Sequence, residues 1–244
     1  TSNRHNRRLN KGQRMHLGLD TLPSQTNYND GVRIDYLSIK ENQSATVRFL
    51  ETPKQFRWVY VQSIPVQGSQ FGKLIPTLDV NNDGEIDCPL RQATGKNPSV
   101  RGFLQVIWRD APKPVRNKDG EVERDQNNKI KYDGVEDRIC IWSQGIKVLR
   151  NLGSINSTLE EDGYNITECD MTINRVGSGK HTAYTFVPRA KKPLSARDKE
   201  LAKDPIDISS LITPPSYEEA LKLVNGSDNS GSNDVAVNAN PFLN

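Results

Sequence analysis

Cysteine, histidine and long apolar runs are all scarce in this 244-residue chain. Its three cysteines, Cys88, Cys140 and Cys169, are an odd number without paired spacing, which argues against a disulfide framework and for a reducing compartment. Its three histidines are His5, His16 and His181, and two of them fall in the first twenty residues. Metal ligation and acid–base chemistry usually draw on that small pool, so catalytic readings start weakly. No apolar run approaches the ~20 residues that cross a bilayer, so no membrane span is expected. No short apolar segment follows the basic start, so no secretory signal is expected either, and a cytoplasmic location fits. Hydrophobic residues make up 34% and the mean hydropathy is −0.70, lean enough that part of the chain should stay unpacked.

What the chain does have is an uneven charge. It carries +3 overall, yet residues 204–244 hold six carboxylates against Lys222, so the preceding residues carry +8. The first twenty residues contribute Arg4, Arg7, Arg8, Lys11 and Arg14 against Asp20. A basic body with an acidic end fits a polyanion partner and a tail that competes with it.

Alternation of apolar and polar residues predicts strands over Ala45–Glu51, Phe56–Ile64, Val100–Asp110 and Asp137–Ser143. A closing hairpin is predicted over Asp170–Val176 and His181–Pro188, turned at Gly177-Ser178-Gly179-Lys180. Residues 66–99 read as an irregular insertion and 111–136 as an elaborated hairpin. A helix starts at Ile146 and is expected to stop at Gly153. Ser216 with Glu219 has capping-box spacing for a helix over Tyr217–Val224. The expected organisation is a flexible basic arm over 1–30, a binding domain over 31–190, a linker with a short helix over 191–225 and a disordered tail with an apolar tip over 226–244. The fold class is mainly β, an OB-fold-like five-stranded barrel with an inserted loop or hairpin region, a short helix and flexible termini.

Three groups of residues could carry chemistry. Asp79, Asn81, Asp83, Glu85 and Asp87 place oxygens at alternate positions around Gly84, as a calcium loop does, although Leu90 stands where a bidentate Glu belongs. An Asx-rich turn explains the same residues. Cys88-Pro89 has no second Cys or His two to four residues away, so zinc is not expected. The third group is aromatic residues alternating with basic ones. Arg101, Phe103 and Arg109 share a strand face; Trp58 and Tyr60 share another beside Arg57, with Arg48 on the preceding strand. Bases stack on exposed rings while cations follow the phosphates.

In order, Ala45-Thr46-Val47-Arg48-Phe49-Leu50, Cys88-Pro89, the strand from Gly102 to Asp110 followed by Ala111-Pro112, Ile146-Lys147-Val148-Leu149 and the segment Asp170 to Pro188 resemble the T4-like helix-destabilising family of bacteriophage single-stranded-DNA-binding proteins. The resemblance spans roughly residues 44–190. It implies an OB-fold without catalytic activity that coats single strands in DNA replication, recombination and repair in the host cytoplasm. It also implies an N-terminal arm that promotes self-association on DNA and a C-terminal tail that recruits phage replication and recombination proteins. The zinc knuckle common in the family is not carried over. The expected interface is Arg48, Arg57, Arg101, Arg109, Lys147, Arg175 and Lys180 on phosphates, with Trp58, Tyr60 and Phe103 under bases. Removing residues 226–244 is expected to tighten DNA binding. The alternatives are an RNA-binding OB module, a calcium-stabilised interaction protein and, less favoured, a nuclease.

Overall fold

A computed structural model describes residues 34–64, 73–118 and 121–225. The expected arm over 1–30 and tail over 226–244 lie outside the described residues. The elements in chain order are β1 (Ser44–Phe49), β2 (Arg57–Ile64), β3 (Lys73–Pro76), α1 (Pro89–Thr94), β4 (Ser99–Pro114), β5 (Tyr132–Gly145), α2 (Ile146–Glu161), β6 (Cys169–Val176), β7 (Ala183–Lys191), α3 (Ala196–Leu201), α4 (Ser209–Ile212) and α5 (Tyr217–Asn225). The strands form where side chains alternate, as in β6, which buries Cys169, Met171, Ile173 and Arg175 and turns the intervening residues outward. Among the described residues no helix is long and apolar enough to cross a membrane.

The fold is mainly β. Its sheet runs β3-β2-β4-β1-β6-β7, with β5 on the other edge of β4, and every strand pair is antiparallel. β4 is the shared strand. Its first residues pair with β2 and its later ones with β1, while β5 follows it on the opposite side. The sheet curls until Trp142 of β5 meets Tyr184 and Phe186 of β7, with ring centroids 5.5 and 6.0 Å apart. No ladder joins β5 to β7, so the expected closed barrel is corrected to an open, curled sheet of seven strands. The physical reason lies on the edge of β5, which Asp35–Leu37 already occupies. Leu37 N–H donates to the Ile141 carbonyl at 2.9 Å, and Ile141 N–H donates to that of Asp35 at 2.8 Å.

The concave face holds the main core, where Val47, Phe49, Leu104, Val106, Trp142, Met171 and Ile173 meet Leu152 and Leu159 of α2. Helix α2 does not stop at Gly153. Leu152, Asn156 and Leu159 keep a buried face beyond it, which outweighs the ~1 kcal/mol disadvantage of a helical glycine. At Gly102 the absence of a side chain is required, since a Cβ there would lie 2.7 Å from Leu149 Cδ2. The helix therefore sits directly on β4.

The insertion is more ordered than its composition suggests. β3 and α1 build a small second core from Ile64, Ile75, Cys88 and Leu90, which Ala220 of α5 completes. Residues 191–225, expected as a linker with one helix, carry three. Both ends of this strap are capped as their sequences allow. Ser195 and Asp198 form a capping box on α3, while Ser216 Oγ accepts from Glu219 N–H at 3.2 Å at the start of α5. Between them Ile208 and Ile212 bury Phe103 and Ile141 on the convex face of the sheet.

Candidate nucleic-acid interface

Register decides which of the expected residues can act together. Trp58 is paired with Gly102 and Tyr60 with Val100, whereas Arg57 is paired with Phe103 and Val59 with Arg101. Paired residues on antiparallel strands share a face. Trp58 and Tyr60 therefore lie on the side where α2 packs over Gly102, and Phe103 lies on the other. The three rings expected to floor one groove are divided between two faces. Phe103 is only 7% exposed beneath Ile208 and Ile212. Trp58 and Tyr60 are half-buried and meet edge to face, with centroids 5.7 Å apart.

Three of the expected cations serve inside the protein. Arg48 is fully buried; its Nε donates to Asp170 Oδ1 at 2.8 Å and its Nη1 to the Lys192 carbonyl at 2.9 Å. Arg175 is buried and donates from Nη1 to the Ile39 carbonyl at 2.8 Å. Arg109 gathers three carboxylates. Its Nη1 reaches Asp137 Oδ2 at 2.8 Å, and its Nη2 reaches Asp170 Oδ1 at 3.2 Å and Asp198 Oδ2 at 3.1 Å. The Arg109 guanidinium holds the Asp198 carboxyl well below the usual carboxylate range, and Asp198 in turn raises the guanidinium. Their alternating neighbours gave these arginines the sequence signature of a basic stripe. The carboxylate partners of Arg48 and Arg109 come from β5, β6 and α3, distant in sequence, so the pattern could not reveal their roles.

The remaining cations are differently placed. Arg57 is partly exposed, its Nη2 3.9 Å from Glu51 Oε1. Lys147 is exposed in the first turn of α2. The Lys180 side chain lies outside the described residues. Arg101 stands out: it is largely withdrawn from water, yet no hydrogen bond or ion pair holds it among the described residues. Burial lowers its pKa, partly countered by nearby Tyr184. Its strand partner is Gly145, the N-cap of α2, which supplies no side-chain cap; the first turn of the helix holds no acidic residue. The leading N–H groups of a helix lack internal partners and carry its positive end.

One short stretch of β4, Val100–Gly102, thus adjoins the ring pair on one side and the uncapped start of α2 on the other. Arg150, missed in the sequence reading, adds an exposed cation to the same helix. Its three-residue spacing from Lys147 was the available signal. This arrangement can attract phosphate and offer rings to bases.

The candidate calcium loop makes several hydrogen bonds of its own. Buried Asp79 accepts from Gly84 N–H at 2.9 Å and from Arg91 Nη1 at 3.3 Å. Asp83 Oδ1 accepts from Glu85 N–H at 2.9 Å, and Asp87 is bonded to Gln92. Asn82 and Gly84 take left-handed backbone angles, φ 54° and 79°. These contacts make an Asx-rich turn. Among the described residues no three His, Cys, Asp or Glu side chains gather as a metal site. Compared with known proteins, the chain matches no protein-family model, no curated protein and no solved structure.

Proposed function

We propose that this protein binds single-stranded DNA without reading its sequence and coats it during replication, recombination and repair, with no chemistry of its own. The observation that carries the reading is the side of β4 on which α2 packs over Gly102, where the half-buried Trp58 and Tyr60 rings lie near a helix start with no side-chain cap and no acidic residue in its first turn, and where Lys147 and Arg150 are exposed. Each part suits one component of a nucleotide chain: Lys147 and Arg150 the phosphates, Trp58 and Tyr60 the base faces. None of these groups distinguishes one base from another. The strand sequence supports an OB-type core. β1, β4 and β5 precede α2 and β6 and β7 follow it, with a spatial order β5-β4-β1-β6-β7 whose outer strands meet through side chains.

Titration with fluorescent oligo-dT, mixed-sequence DNA and RNA of equal length tests the reading. Expected is similar affinity for the two DNA strands, weaker affinity for RNA, and a marked loss in W58A and Y60A. Absence of binding at low salt would overturn it, and undiminished affinity in both ring variants would remove this end of β4 as the site.

A further inference from the structure

Strands β4 and β5 run on past the rest of the sheet as a two-stranded arm. β1 pairs with β4 no further than Trp108, whereas the β4–β5 ladder continues to Pro114 and Tyr132. In the arm Pro112 is paired with Val135 and Pro114 with Tyr132, so two steps along β4 match three along β5. The extra residue makes a bulge, and Gly134, at φ 75°, supplies a left-handed backbone within it. Residues three apart on a regular strand point to opposite faces. The bulge instead brings Tyr132 and Val135 to one face, with Pro112 and Pro114 beside them. Lys113, between the two prolines, points to the other face. The apolar face is open, with Tyr132 55% and Val135 61% exposed.

Among the described residues, the other large apolar side chains more than half exposed are Val176 and Val187, at 54% and 52%. Both lie on the outer face of β1, β6 and β7. Register sets Thr46, Thr172 and Val187 in one row, Ser44, Asn174 and Thr185 in the next, and Val176 with Ala183 beyond them. None of these residues is buried. Arg189 borders the face. It donates to the Thr172 and Thr46 hydroxyls at 3.2 and 3.1 Å and has no carboxylate partner among the described residues. The apolar residues of the arm are flanked in sequence by Asp133 and Glu136, which form no ion pair among the described residues either.

We propose that the arm of one copy docks on the outer β1-β6-β7 face of the next copy along a bound strand, Tyr132 and Val135 against Val176 and Val187, and Asp133 toward Arg189. This rests on the single-strand-binding reading above and names the surfaces through which neighbours touch. The two surfaces are complementary: a two-stranded ribbon on a three-stranded face, apolar on apolar, acidic border on an arginine without a carboxylate. They lie on different parts of the chain, so the contact is heterologous and repeats as an open row, the arrangement that coating a strand requires. The face spans about 14 Å across three strands and about 17 Å along five residues. That is well below the ~800 Å² per partner of a stable interface. Free copies therefore separate, and the contact acts where a common strand holds two copies side by side.

Titration of the full chain with oligo-dT of two lengths tests the row, one just long enough for a single copy and one long enough for many. In wild type the affinity per site should be roughly a hundredfold higher on the long strand. Y132A/V135A should lose about tenfold or more of that ratio while its short-strand affinity and melting temperature stay at wild-type values. D133K and R189E should each lower the ratio, and D133K/R189E, which exchanges the charges, should restore it. Equal affinity per site on both strands in wild type, an unchanged ratio in Y132A/V135A, or a double charge variant no better than its parents would each overturn the contact and leave single-strand binding standing. If wild type binds neither strand, the single-strand reading has failed and the row falls with it.

Discussion

The two ends of β4 present the same residue type in opposite circumstances. Arg109, at one end, holds Asp137, Asp170 and Asp198. Arg101, eight residues earlier, has no carboxylate beside it among the described residues and adjoins an uncapped helix. A cation surrounded by three carboxylates has no positive field left to attract a polyanion, whereas a desolvated one without a partner gains from any anion that arrives. The charge balance around a guanidinium, rather than its position in an alternating strand, marks a structural arginine.

Breaking the first end should have the largest effect. Arg109→Ala leaves three carboxylates facing one another, two of them largely buried, and should lower stability by about 3–5 kcal/mol, measured by chemical denaturation. A midpoint equal to wild type would show that this end is not structural. The second end should respond in binding and not in stability. Trp58→Ala and Tyr60→Ala should each weaken oligo-dT binding by about 1–3 kcal/mol. Because both rings are half exposed, the melting temperature should shift far less than for Trp142→Ala, where a fully buried ring is lost.

The ends should differ in pH response as well. The folded-state pKa of Asp198 is depressed by Arg109, so its contribution is complete above the unfolded carboxylate pKa near 4 and disappears as pH falls below it. The stability difference between wild type and Asp198→Asn should therefore be full at pH 6–7 and shrink below about pH 4. A difference that is constant down to pH 2 would mean that the ion pair is not what holds α3. The smallest effect is expected away from both ends. Gly153 lies in the middle of α2, and no neighbouring atom comes within 4 Å of where an added Cβ would sit, so Gly153→Ala should stabilise the protein by about 0.4–1 kcal/mol.

Much of the sheet was legible because a strand with one buried face alternates with period two. The runs around Val47–Phe49, Leu104–Trp108 and Met171–Ile173 all fall on strands. The turn at Gly177 was legible for a related reason: its φ is 72°, and a Cβ there would lie 2.6 Å from the His181 carbonyl oxygen. Three things were hidden. Gly153 resembles a helix stop until the buried Asn156 and Leu159 are counted with Leu152. The faces of Trp58 and Phe103 depend on the register of β2 against β4, which no local pattern contains. The strap reads as a linker because its prolines and charges are local, while its anchors, Arg109, Gln105 and Phe103, lie about a hundred residues upstream.

The most direct test is the salt dependence of oligo-dT affinity for wild type beside Lys147→Gln and Arg150→Gln. For single strands the slope of log K against log salt is about −0.7 per phosphate neutralised, so each substitution should flatten it by roughly that amount without lowering the melting temperature. Slopes identical in all three proteins, or no salt dependence in wild type, would contradict a phosphate site at the Val100–Gly102 end of β4.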